Sequence, residues 1–153
     1  VLDEDTLASD SATKVPTQQS VKAYVDTLES YVDTQVAAVD SVYTMTHEIA
    51  DVSTAETVYV PVPVSGTITR VDSCLQGAIT VADATVTLVQ SNDAAIASLP
   101  IAFSGSAAGD VDTDASPTNT TVTAGSYLKL STNGNSTTAA KLLVTITVQT
   151  DTV

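Results

Sequence analysis

Few side chains in this sequence are suited to chemistry. Asp110, Asp112 and Asp114 alternate within Gly109-Asp110-Val111-Asp112-Thr113-Asp114. Clustered carboxylates are hard oxygen donors of the kind Ca²⁺ accepts. The spacing departs from a calcium-binding EF-hand loop: Ala115 stands where Gly is required, and Thr121 where a bidentate Glu is required. The stretch reads as a solvated acidic loop, and no metal site is assigned. His47 and Glu48 are adjacent, but a general base needs a nucleophile or an orienting partner, and neither is identifiable. Cys74 has no cationic signature beside it, and a free Cys is commonly buried and inert. Asn119-Thr120-Thr121 and Asn135-Ser136-Thr137 match glycosylation sequons, which matter only in a secretory pathway. There is no Gly-rich phosphate loop, zinc spacing or hydrolase elbow. No catalytic residue and no cofactor is assigned, and the expectation is a protein that is not an enzyme.

Charge narrows the partners. The 153 residues carry 5 basic and 18 acidic side chains, a net charge of −13. Nucleic acid is excluded as a partner, since phosphate binding needs clustered Lys and Arg. Anionic membrane surfaces are disfavoured for the same reason. No apolar run approaches the ~20 residues that span a bilayer. The length suits one domain, or one small domain plus an extension. A single Cys forbids an internal disulfide framework and fits synthesis in a reducing cytoplasm. No secretory signal is visible, and the one Met is Met45, so Val1 is expected not to be the translated start.

The elements follow from patterning. Thr and Val fill about a third of the chain, which favours strands. With 5 Tyr, 1 Phe and no Trp, the core must be small and aliphatic, and shared burial in an oligomer is expected. Residues 1–16 are polar and acidic without a period. They read as an extended arm, disordered alone or laid along a partner, with Leu2, Leu7 and Val15 as its apolar contacts. Residues 17–43 read as one helix, opened by Pro16 and Thr17 and free of Gly and Pro. Val21, Val25, Leu28, Val32, Val36, Val39 and Tyr43 form a helical stripe. A narrow, Val-rich stripe is marginal in water alone and needs a partner face. A β-branched seam suits dimers or three-stranded packing, and Val at both core positions leans to three. The step from Val32 to Val36 drifts toward an 11-residue repeat, which straightens or reverses the supercoil locally. Packing of this helix on its own β domain is the competing possibility.

Residues 44–153 alternate instead. Val58, Val60, Val62 and Val64 interleave with Thr57, Tyr59, Pro61 and Pro63; the two prolines cannot donate to a ladder, which predicts a strand that lies at an edge or carries a bend. Further strands are expected at 67–75, 85–90, 98–104, 126–131 and 141–150, separated by Gly, Asn and Ser turns. Ile68 and Val71 are core candidates. The fold class is therefore mainly β: an antiparallel β-sandwich head, jelly-roll-like in connection, preceded by the arm and the long helix.

Several stretches carry a resemblance. Leu2-Asp3-Glu4-Asp5-Thr6-Leu7-Ala8-Ser9-Asp10-Ser11-Ala12-Thr13, with Thr17-Gln18-Gln19-Ser20-Val21-Lys22-Ala23-Tyr24-Val25-Asp26, resembles a linker-and-helix module of tailed-bacteriophage structural proteins, notably fibres. Gly66-Thr67-Ile68-Thr69-Arg70-Val71, the segments 77–87 and 101–112, Val122-Thr123-Ala124-Gly125 and Thr132-Asn133-Gly134 resemble a β domain of phage virion proteins. The resemblance implies a homotrimer, in agreement with the Val seam. It also implies a capsid decoration protein or head fibre, made in the bacterial host cytoplasm and anchored on the major capsid protein at the virion surface. The alternative is a tail fibre or tail-tip adhesin. That protein would attach to tail proteins and bind a host surface glycan through loops 91–97, 105–119 and 132–140 at the outer end of the head.

Overall fold

The computed structural model describes residues 1, 3, 6, 13–37 and 41–150. Two compact units are distinguished, one built on the chain up to residue 40 and one on residues 41–151.

In the first unit, α1 spans Gln18–Ala37. Thr17 is its N-cap: the Ser20 N–H donates to Thr17 Oγ1 at 3.0 Å, and the Val21 N–H donates to the Thr17 carbonyl at 3.1 Å. Little else supports α1 internally. Its first turn has no acid and its last turn no base to oppose the helix dipole. Lys22 pairs with Asp26 at 2.7 Å, but both are solvent-exposed, so solvent screening leaves the pair little to contribute.

The second unit is mainly β, as the alternation predicts. It contains β1 (Val42–Ile49), β2 (Glu56–Pro61), β3 (Gly66–Leu75), β4 (Ala84–Gln90), β5 (Ala95–Ile101), β6 (Val111–Asp114), β7 (Thr121–Val122), β8 (Tyr127–Thr132) and β9 (Leu142–Thr150). They form two antiparallel sheets. One runs β1-β9-β3-β6, with β7 also on β3; the other runs β2-β8-β4-β5. One aliphatic core is shared by both. Met45, Ile68, Val71, Leu75, Val144 and Ile146 come from the first sheet, and Val60, Val86, Leu88, Leu99, Leu128 and Leu130 from the second. Burial alternates along β9, so Leu142, Val144, Ile146 and Val148 face the core. Ile68 and Val71 both point inward although three residues apart. A register shift between Ile68 and Arg70 places Thr69 as a bulge, which restores the inward face.

Two expectations change here. The helix was expected to reach residue 43, but Val42–Ile49 is a strand paired with β9, Tyr43 opposite Val148 and Met45 opposite Ile146. Met45 and Ile49 gain a buried face in that ladder, and such long-range burial overrides a local helical period. The segment around Asp112 was expected to be loop, but Val111–Asp114 pairs with β3 as an edge strand.

Two positions test this packing. Gly66 starts β3 between β9 and β7, where an added Cβ would meet the Gln149 carbonyl and the Val148 side chain. Gly66→Ala is expected to cost about 1–3 kcal/mol in urea unfolding. Ser73 is 1% exposed, and its Oγ finds no hydrogen-bond partner among the described residues. Ser73→Ala is expected to raise stability by about 1 kcal/mol, since it removes a desolvated hydroxyl. An unfolding midpoint unmoved by either change contradicts the packing.

Candidate functional site

The outstanding feature of α1 is an uncovered face. Val21, Val25, Leu28, Val32 and Val36 are each 42–65% exposed, with Tyr24 and Tyr31 beside them also exposed. Val39, the last residue of the expected seam, lies outside the described residues. A 20-residue helix rich in β-branched residues is marginal in water, and its stability must come from burying an amphipathic face. Val15, expected as an arm contact, is 72% exposed. Leu2 and Leu7 lie outside the described residues.

The arm contributes one contact that spacing did not reveal. Asp3 accepts hydrogen bonds from Thr17 Oγ1 at 2.7 Å and Ser20 Oγ at 3.0 Å, so it returns to the helix N-terminus. A carboxylate there also faces the positive end of the helix dipole. The Thr17 and then the Ser20 hydroxyl hold the Asp3 carboxyl below its ordinary value of 3.8. Fourteen residues separate Asp3 from Thr17, and no local motif joins them.

The groups singled out for chemistry do not converge. His47 and Glu48 are consecutive on β1 and point to opposite faces. His47 stands opposite Val144, while Glu48 pairs with Lys141 at 3.0 Å. Cys74 sits on β3 between Leu143 and Val111, with Gln76 Nε2 at 3.4 Å from its sulfur. Asp110 accepts the Ala107 N–H at 2.6 Å, and Asp114 accepts the Ser116 N–H at 2.9 Å. Burial, and then the charge of Asp110, push the Asp112 carboxyl above its ordinary value. Among the described residues no three His, Cys, Asp or Glu side chains gather as a metal site. No helix among them is long and apolar enough to cross a membrane.

The loops expected to share one end divide between two. Strand direction places 102–110 and 133–141 with 76–83. Thr80 and Thr138 hydroxyls bond at 2.6 Å, and Ser106 Oγ donates to the Ile79 carbonyl at 2.8 Å. The 91–94 turn lies at the other end, with Ser41 and the turns at 62–65 and 123–126. Asn119 of the 115–120 stretch donates to the Ala95 carbonyl at 2.7 Å. Composition marks such segments as turns but carries no information on which end of a sandwich each occupies.

The aromatic residues supply a grouping that went unseen in the sequence. All six are exposed. Tyr59 on β2 and Tyr127 on β8 meet edge-to-face, with ring centroids 5.5 Å apart and planes at 69°. Beside them Lys129 reaches Asp93 at 2.6 Å.

The described residues thus define a class: a mainly β head of two antiparallel sheets, following a helix with one bare apolar face. No family model matches the sequence, and no curated protein matches it. Among solved structures, the chain is similar to dimeric latent PorU from Porphyromonas gingivalis, at 20% identity and a TM-score of 0.44. That match covers 74% of this chain and only 13% of PorU. It is also similar to Bacillus endospore appendages, described as disulfide-linked pili, at 13% identity and a TM-score of 0.36, covering 72% of this chain and 88% of that one. Likeness this distant carries no functional argument.

Two measurements address the helix. Replacing Leu28 and Val32 by Asp is expected to abolish self-association in sedimentation experiments while the head keeps its thermal transition; undiminished association contradicts the seam. A lowered carboxyl pKa means the Asp3 contact is fully present above 3.8 and is lost as pH falls through the lowered value. Carbon-13 NMR should therefore titrate the Asp3 carboxyl below 3.8, and Ser20→Ala should raise its midpoint. A midpoint unaffected by that change contradicts the contact.

Proposed function

We propose that this protein is a non-enzymatic structural component of a phage particle. In this proposal it is a homotrimer that decorates the capsid surface, as a cement protein or head fibre. The observation that carries the proposal is the uncovered stripe Val21, Val25, Leu28, Val32 and Val36. Three copies joined along a β-branched seam would bury it. Resemblance of the arm, helix and head segments to phage virion modules gives the particle context.

The sheet orders favour a jelly roll within the sandwich class. With the two-residue β7 set aside, the chain changes sheet at every step except from β4 to β5, which are neighbours in the second sheet, in the manner of two Greek keys. Jelly rolls recur in viral capsid proteins, which is support by analogy of fold. The dispersal of His47, Cys74 and the acidic residues supports a non-catalytic role.

In this reading the arm, residues 1–16, lies along the major capsid protein, with Leu2, Leu7 and Val15 entering small pockets. Three arms on one trimer add avidity to weak individual contacts. The test is cryo-electron microscopy of intact particles. Copies on the capsid lattice with the arm against the shell are expected, and density confined to the tail would overturn the proposal. Removing residues 1–16 should abolish capsid binding and preserve the trimer; undiminished binding would move the anchor elsewhere.

A further inference from the structure

We propose that the outer face of the second sheet, around Tyr59 and Tyr127, is a binding platform for a neutral or amino-sugar glycan. The platform belongs to the head alone and does not depend on where the protein sits on a particle.

The buried core is complete without aromatic side chains: it consists of Val, Ile, Leu, Ala and Met. Aromatic rings are large apolar surfaces, and leaving all of them in water forgoes substantial burial. Two of the six are nevertheless placed together on one sheet face. Tyr59 stands opposite Lys129, and Pro61 opposite Tyr127, so the two rings lie on a cross-strand diagonal. Tyr59 is 64% exposed and Tyr127 42%. The next row places Thr57 against Ser131, their hydroxyls 2.9 Å apart, and at the near end Lys129 holds Asp93.

Ring faces beside hydroxyls and an ion pair match the chemistry of a sugar. A pyranose offers a patch of axial C–H groups for an aromatic face and a rim of hydroxyls that both donate and accept. Tyr meets such a ligand at small entropic cost, having few rotatable bonds. A protein partner fits less well. A stable interface buries about 800 Å² on each side around an apolar centre, and beyond the two rings, Pro61 and a half-buried Val89 this face carries Thr57, Ser131, Lys129 and Thr87. The net charge of −13 opposes phosphate polymers and acidic glycans alike. An uncharged or amine-bearing glycan remains.

The test uses the full chain against defined probes: neutral oligosaccharides of glucose, galactose, mannose and N-acetylglucosamine, chitosan oligomers, and sialylated and uronic-acid oligosaccharides as acidic controls. Calorimetry and tyrosine fluorescence read the binding. Saturable binding of at least one neutral or amino-sugar probe is expected. Tyr59→Ala or Tyr127→Ala should weaken it about tenfold or more. Tyr59→Phe, which keeps the ring, should retain it, and Lys129→Gln, which keeps both rings, should weaken it severalfold. Circular dichroism of each variant establishes that the head is folded. Failure of every neutral and amino-sugar probe at millimolar concentration, binding confined to the acidic controls, or full binding by the folded alanine variants would overturn the proposal. A protein ligand on this face would appear as the first of those results.

Discussion

The constraint on which the rest depends is the sharing of one aliphatic core between two sheets. Each strand presents alternate residues to it, and Val, Ile, Leu, Ala and Met fill it without an aromatic. Branched aliphatic side chains are stiff and suit a pleated surface. The core therefore closes with short side chains, and the ladder fixes which residues face inward. Where three-residue spacing would break the rule, between Ile68 and Val71, a bulge at Thr69 restores it. What the core does not use is left on the surface: the helix stripe and all six aromatic rings.

That division explains why two kinds of apolar surface remain, and why they differ. The stripe on α1 is a row of aliphatic residues on a helix with little internal support, so its burial and the helix's own stability are one problem. If copies associate through this stripe, as proposed, the stability of the helix depends on chain concentration. The tyrosines of the second sheet sit on a scaffold that is already packed. The β2–β8 ladder sets their backbone positions.

Local pattern revealed much of this, and long-range pairing hid the rest. The period in Val21–Val36 and the alternation in Leu142–Val148 are properties of contiguous residues, and each was legible from spacing. β1 was not, because Tyr43 extends the helical stripe by one more step while its true partner, Val148, lies at the far end of the chain. β6 was masked by its carboxylates, which are typical of loops; it holds its place through pairing with β3. Asp3 at the helix cap and the Tyr59–Tyr127 pair arise from contacts between distant segments, for which spacing carries no signal. His47 lies on β1, Cys74 on β3, and Asp112 and Asp114 on β6, placements set by strand pairing that spacing does not carry.

The central claim is that three chains bury the α1 stripe together. Native mass spectrometry of the 153-residue chain at micromolar concentration tests it most directly. The account predicts a dominant species of three chains, each 15.6 kDa, that dissociates to single chains without a populated dimer. A spectrum of single chains alone, across the concentrations at which the head is folded, would contradict it.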